Sequence, residues 1–426
     1  MRKIYLFALS LLALGCQPKE KPQREEETTD SKTKKAVFII LDGIPTDVLK
    51  RVNTPHLDAI AKDGGFADIY VGGEKGTYNE TPTISAPGYI DLLTGTWANK
   101  HNVWNNYNQE PNYNYWNIFR IAKTVKPELK TAIFSSWLDN RTILVGEGQQ
   151  DAGNFKIDYA FDGFEKDTVR FPHDPRYNYI GKIDSLVSAE TASYIASEAP
   201  DLSWVYLEHT DDIGHALGDS ELFDNEIIKA DKKVGAIYEA IKKREKDYNE
   251  DWMIVVTTDH GRDPETGKHH GGQSDRERHT WLVTNQKEVN TRFQEGNMAI
   301  IDITPSILTF LNIELPAETK KEIDGTSFIG AVSADQLKAE YDNGQLNLSW
   351  HVINSDGNGQ LKIAFSNDVK TGGKDEYEPI GEVEISTGNA KISLSAEQKQ
   401  KIESSKFAKV ILETPSNTLN RWIVLK

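Results

Sequence analysis

Three of the ten histidines in this 426-residue chain, His260, His269 and His270, fall within one short window, VVTTDHGRDPETGKHHGGQ. An apolar run leads into Asp259 and His260, and a glycine-dotted loop then carries His269 and His270. Imidazole and carboxylate together suit zinc, and they also accommodate manganese or iron. A solvated polar loop is the alternative use of the same residues. The rest of the chain favours the metal. The stretch DDIGH places Asp211 four residues before His215, and Asp42 closes the apolar run AVFIILDG. Any one Asp–His pair is a common structural neighbour. Three clusters at the ends of apolar runs are harder to explain that way, because such ends lie side by side in a sheet.

A metal site that does hydrolytic chemistry needs a nucleophile, and ETPTISAPGYIDLLTG offers one. Pro87 suits the first turn of a helix running toward Gly95. Ser85 is then expected just before that helix, where free N–H groups and the dipole favour an anion. A serine there commonly serves only as a cap. Metal ions that bind its oxygen and lower its pKa would make it a nucleophile.

The elements that must position these groups are legible in the apolar patterning. AVFIILDG, KTAIFSSW, LSWVYLEHTDD and DWMIVVTTDHG are continuous, β-branched runs of the kind buried on both faces of a parallel sheet. DNEIIKADKKVGAIYEAIKKRE between them repeats its apolar residues at helical spacing. The expected catalytic domain, residues 36–332, is a layered α/β/α domain with a mostly parallel sheet, ligands gathering at the carboxyl ends of its strands. From residue 336 to 426 short alternating runs with turns between them predict a small all-β sandwich, with Trp350 as a core residue.

The first sixteen residues read as an address. Arg2 and Lys3 precede an apolar run, Ile4 to Leu14, too short to span a bilayer, and it ends at ALGC. Cys16 is the single cysteine, so it has no internal disulfide partner. ALGC resembles the lipobox of bacterial lipoproteins, which implies acylation of Cys16 and a site of action in the periplasm or at the cell surface. Residues 17–35 are a charged tether with little to bury. The net charge of −16 excludes a long nucleic-acid backbone as partner and leaves small anionic substrates open where cations reverse the local sign.

Taken in order, LDG, PTISAPGYIDLLTG, DDIGH, DHG and HHGG resemble the alkaline phosphatase superfamily, and most of all its nucleotide pyrophosphatase/phosphodiesterase branch, over residues 36 to 332. The resemblance implies two zinc ions flanking a Thr or Ser nucleophile. One would be held by Asp211, His215 and His270, the other by Asp42, Asp259, His260 and the Ser85 oxygen. His270 takes the last place in preference to His269 because the family's ligand precedes a glycine. TGTWANKHNVWNN resembles the stretch that ends in a phosphate-binding Asn, here Asn106. Of the two aromatics that stack a nucleobase, one matches Tyr206 and the other falls on Ala86. SSWLDNRTIL resembles a segment of phosphomonoesterases that grip phosphate with Lys and Arg: Arg141 matches the Arg, and Asp139 stands at the Lys. Sulfatases of the superfamily need an Arg where this chain has Tyr89. The expected function is therefore two-metal, phosphodiesterase/pyrophosphatase-like hydrolysis of a small phosphate ester through Ser85 and a covalent phospho-enzyme. A phosphomonoesterase, or a non-catalytic surface-binding lipoprotein, is the alternative. Cys16→Ser is expected to abolish lipid labelling and to release the protein from the membrane fraction on cell fractionation.

Overall fold

A computed structural model of the chain describes Met1 and residues 32–107, 109–368 and 374–425. Cys16, the apolar run before it and most of the expected tether lie outside the described residues. Residues 33–426 form one compact unit. Its first strand, β1 (Thr33–Leu41), takes in three residues expected in the tether, and Lys35 among them is tied to Asp201 at 2.5 Å.

β1 shows why the apolar runs are continuous. Alternate residues of a strand face opposite ways: Phe38 and Ile40 enter one apolar layer, while Val37, Ile39 and Leu41 enter the other. Both layers are helical. The helices Asn178–Glu198 and Glu221–Asp247 cover one face with Ile183, Val187, Val234 and Ile237. The helices Ser85–Thr94, Ile118–Val125 and Ile303–Phe310 cover the other with Tyr89, Leu92, Phe119 and Ile307. The sheet adds β2 (Gly65–Tyr70), β3 (Thr131–Ser135), β4 (Tyr159–Phe161), β5 (Leu202–Leu207), β6 (Glu250–Thr257), β7 (His279–Thr284) and β8 (Met298–Ala299), in the order β4-β3-β5-β1-β6-β7-β2-β8. All pairings are parallel except those of β7. The expected α/β/α architecture is the one observed. β1 lies between β5 and β6, so the strands that end near Asp42, Asp211 and Asp259 are immediate neighbours.

The C-terminal part has a core of its own. β9 (Ala334–Asp342), β10 (Gln345–Val352), β11 (Asn358–Ser366), β12 (Glu378–Glu384), β13 (Asn389–Ser393), β14 (Phe407–Glu413) and β15 (Thr418–Val424) form two antiparallel sheets, β13-β10-β9 and β12-β11-β14-β15. Trp350, Leu346, Ile363 and Val410 meet between them. The domain is not all β, however. The helix Ala396–Ser404 is started by a capping box between Ser395 and Gln398 and drops Ile402 into the core. No helix among the described residues is long and apolar enough to cross a membrane.

Buried cations fasten this domain to the layered one. Lys409 of β14, 1% exposed, lies 3.3 Å from both carboxylate oxygens of Glu322 and 2.6 Å from Asp375. Lys100, equally buried, donates to Asp324 and to Asn420 of β15. Removing one member of a buried ion pair leaves the other uncompensated, at a cost of about 3–5 kcal/mol. Lys409→Ala is expected to lower the free energy of unfolding in urea by that order.

Candidate metal centre and nucleophile

Each functional side chain sits where an element ends. Asp42 follows β1, and Asp259 with His260 follows β6. Asp211 and His215 lie one turn apart in the helix His209–Leu217 that leaves β5, with His215 Nε2 3.1 Å from an Asp211 oxygen. Ser85 is the first residue of its helix; the N-cap position belongs to Ile84, whose side chain makes no capping bond. The ordinary capping role for Ser85 is thus not realised. Two glycines permit the close assembly. A Cβ on Gly88 would lie 2.9 Å from the Asp259 carbonyl, so the Ser85 helix rests directly on the end of β6. Gly43 turns with φ +66°, and a Cβ there would strike an Asp211 carboxylate oxygen.

The residues converge as two groups whose potential ligand atoms lie within 4.8 Å of one another: Asp211, His215 and His270 in one, Asp42, Asp259 and His260 in the other. His269, by contrast, is exposed. The three imidazoles share one arrangement. Nδ1 of His215, His260 and His270 lies 2.7, 2.9 and 2.9 Å from the carbonyl oxygens of Lys268, Gly261 and Thr83. A carbonyl only accepts, so Nδ1 carries the proton and Nε2 is left as a lone-pair donor, as metal-bound histidines are held. The Nε2 atoms of His215 and His270 are 3.0 Å apart, a repulsive contact between two lone pairs unless a cation or proton lies between them. In the second group His260 Nε2 lies 3.4 Å from Asp42 and 3.3 Å from Asp259. Asp42 Oδ1 and Asp259 Oδ2 are buried without a hydrogen-bond partner. Orphaned carboxylate oxygens and aligned imidazole lone pairs are the donors a divalent cation takes. Both groups therefore fit a metal ion.

Their electrostatics agree. Burial, reinforced by Asp211, pushes the Asp42 carboxyl up to about 7, and burial with the charge of Asp42 raises Asp259 well above the carboxylate range. Burial also raises Asp211, but the Arg262 guanidinium more than reverses this and holds it ionised. Burial and the neighbouring His270 keep His260 neutral.

Several supporting residues escaped the sequence reading. Arg262 is fully buried, hydrogen-bonded to an Asp211 carboxylate oxygen, and donates to the Asp211 and Gly43 carbonyls at 2.8 and 2.9 Å. Its position directly after Asp-His-Gly was the available signal. Tyr89, one helical turn beyond Ser85, donates to Asp42 Oδ2 and lies 2.7 Å from the Tyr206 hydroxyl. Thr210 holds the Asp42 carbonyl at 2.6 Å.

Two expected substrate contacts need correction. Tyr206 is 2% exposed and donates to Asp42 Oδ2 at 2.7 Å, so it fixes that carboxylate and offers no ring face to a nucleobase. Ala86, its expected partner in stacking, is fully buried. Arg141 is enclosed by carboxylates, with Asp162 at 2.6 and 2.9 Å and Glu147 beside it, and forms a structural ion pair. Asn106, in contrast, stands beside the Ser85 turn: its Oδ1 accepts the Ala86 N–H at 2.8 Å, which leaves Nδ2 as the donor. Ser85 Oγ is 3.4 Å from His260 Nε2.

This chain belongs to the type I phosphodiesterase/nucleotide pyrophosphatase family, whose model matches residues 36–378. It is 28% identical over 230 residues to human ectonucleotide pyrophosphatase/phosphodiesterase family member 5, covering 53% of this chain and 44% of that protein. To mouse family member 7 it is 24% identical over 283 residues, 64% of this chain and 57% of that protein. It thus spans about half the length of these relatives. Among solved structures, BT1596, a 2-O GAG sulfatase, shares the fold with a TM-score of 0.51 at 11% identity, over 88% of this chain and 87% of that one.

The charge arrangement has a consequence for stability. A carboxylic acid whose pKa is raised by folding keeps a proton that the unfolded chain has lost, so stability falls as pH rises toward that pKa. Asp42 is raised to about 7 and Asp212 to about 8 by burial and Asp211, and burial with the charge of Asp42 raises Asp259 well above its ordinary value. The lowered histidines contribute in the opposite sense, but only below their ordinary value of 6.5. From pH 6.5 to about 8 the chelator-treated protein is therefore expected to lose melting temperature, and zinc-loaded protein to lose less. Parallel slopes in calorimetry would count against metal binding at these carboxylates.

Proposed function

We propose that this chain hydrolyses phosphoric diesters, with Ser85 as nucleophile. The observation that carries the reading is the Ser85 hydroxyl, free of any capping bond, set at a helix start beside six convergent donor groups. Asp211, His215 and His270 would hold one divalent ion, and Asp42, Asp259 and His260 with the Ser85 oxygen the other; mixed imidazole and carboxylate donors suit zinc. When bound, such ions supply positive charge for the alkoxide and the departing oxygen.

The chain's own residues do the remainder. Ser85 Oγ forms a bond to phosphorus as the bond to the leaving alcohol breaks, and water then displaces serine from the phosphoserine. Nδ2 of Asn106 donates to a non-bridging oxygen as charge gathers there. Tyr89, Tyr206 and Arg262 fix the carboxylates so that little reorganisation accompanies the reaction. A diester is favoured over a monoester because the one arginine expected to hold a dianionic phosphate, Arg141, is engaged by Asp162 and Glu147. The place of action follows from the sequence: a lipid on Cys16 would hold the enzyme at a membrane outside the cytoplasm.

Ser85→Ala is expected to lower turnover of an aryl phosphodiester by several orders of magnitude while metal content, measured by elemental analysis, stays unchanged. Ser85→Thr should retain part of the activity, since the hydroxyl survives. Wild-type turnover by metal-loaded Ser85→Ala would exclude the covalent route.

A further inference from the structure

Asp42, Asp259 and His260 directly follow strands, and Asp211 and His215 share a helix. His270 has no such support. It stands in the loop between β6 and the short helix Asp275–Arg278, and its neighbour His269 is exposed. A tie from another part of the chain has to fix its ring.

Thr83 supplies that tie. It is buried, lies two positions before Ser85, and bonds to three consecutive residues of the loop. Its carbonyl oxygen is 2.9 Å from His270 Nδ1. Its hydroxyl oxygen accepts the Gly271 N–H at 3.0 Å, and the same hydroxyl donates to the Gly272 carbonyl at 2.9 Å. A threonine hydroxyl has one proton to give and lone pairs with which to accept, so the two uses are compatible. The contact extends to either side: Gln273 Nε2 donates to the Thr81 carbonyl at 2.7 Å, and a Cβ on Gly271 would lie 3.2 Å from Ile84 Cγ1. Held this way, the His270 ring stacks on His260 with centroids 3.7 Å apart.

Given Ser85 as the nucleophile, we infer that Thr83 is a positioning residue: its carbonyl and hydroxyl set His270, and with it the Asp211, His215 and His270 group, against Ser85. Only Ile84, in extended conformation with φ −122° and ψ 153°, separates Thr83 from Ser85. A shift of the loop relative to Thr83 is therefore a shift of His270 relative to the nucleophile. The carbonyl decides which ring nitrogen is left bare, and the hydroxyl fixes the backbone that follows the ring. The carbonyl survives substitution of residue 83, whereas the hydroxyl does not, so the two contributions can be separated.

Zinc titration of the chelator-treated full chain, in competition with a chromophoric chelator, tests this without substrate. Its outcome is thus distinct from whether the wild type hydrolyses a diester. Thr83→Val keeps the shape and loses the hydroxyl; it is expected to weaken one zinc site about tenfold or more and to leave the other unchanged. Thr83→Ser is expected to restore that site. In the His270→Ala background Thr83→Val is expected to alter zinc affinity by less than about twofold, because the residue it acts through is gone. Thr83→Ala removes the hydroxyl without setting a methyl against the Gly272 carbonyl, and decides the matter if Thr83→Val fails to fold. Zinc uptake indifferent to His270→Ala, unchanged affinity without the hydroxyl, equal weakening of both sites, or a full effect of Thr83→Val in the His270→Ala background would each overturn the assignment.

Discussion

Three carboxylates, Asp42, Asp211 and Asp259, are buried together at one edge of the sheet, and their mutual repulsion is the constraint around which the site is arranged. Like charges removed from water are tolerated only where something answers them. Arg262 answers Asp211 through its side chain and its backbone at once. The phenols of Tyr89 and Tyr206 answer one oxygen of Asp42, and the Gly43 N–H answers one oxygen of Asp259 at 3.2 Å. The two oxygens left over, one on Asp42 and one on Asp259, face His260. Those leftover oxygens and the His260 imidazole are donors that fit a divalent cation.

How much of this was legible in the sequence depended on whether a residue acts through a local pattern. The four buried strands and the long helix were readable, since apolar periodicity is a property of neighbours along the chain. So was the convergence of Asp42, Asp211, His215, Asp259, His260 and His270, which end those strands or follow them at short spacing. β7 was missed: HTWLVT is short, and its antiparallel course depends on β6 and β2 on either side. The helix Ala396–Ser404 was masked by the surrounding β texture, although Ser395 and Gln398 spell its cap.

The two misread side chains illustrate the limit. The motif order places Tyr206 and Arg141 at substrate-contact positions, yet what each does is set by partners far away in sequence or by local acids. Tyr206 reaches across to Asp42 in the neighbouring strand. Arg141 meets Asp162, delivered just after β4. Motif position told where these residues would be, and packing decided what they were free to touch.

The neighbouring of β1 with β5 and β6 carries a further consequence. Ile40 is aligned with Tyr206 on one side and Thr257 on the other, pairings between distant stretches of chain. Neither ligand group is complete until those non-local registers are set, and a slip of one residue would move an end carboxylate by about 3.3 Å. A site able to take up an ion is thus a property of the finished sheet, absent from the unfolded chain. In a preparation of this protein, the fraction of chains that retain metal through gel filtration counts the molecules whose sheet has closed correctly.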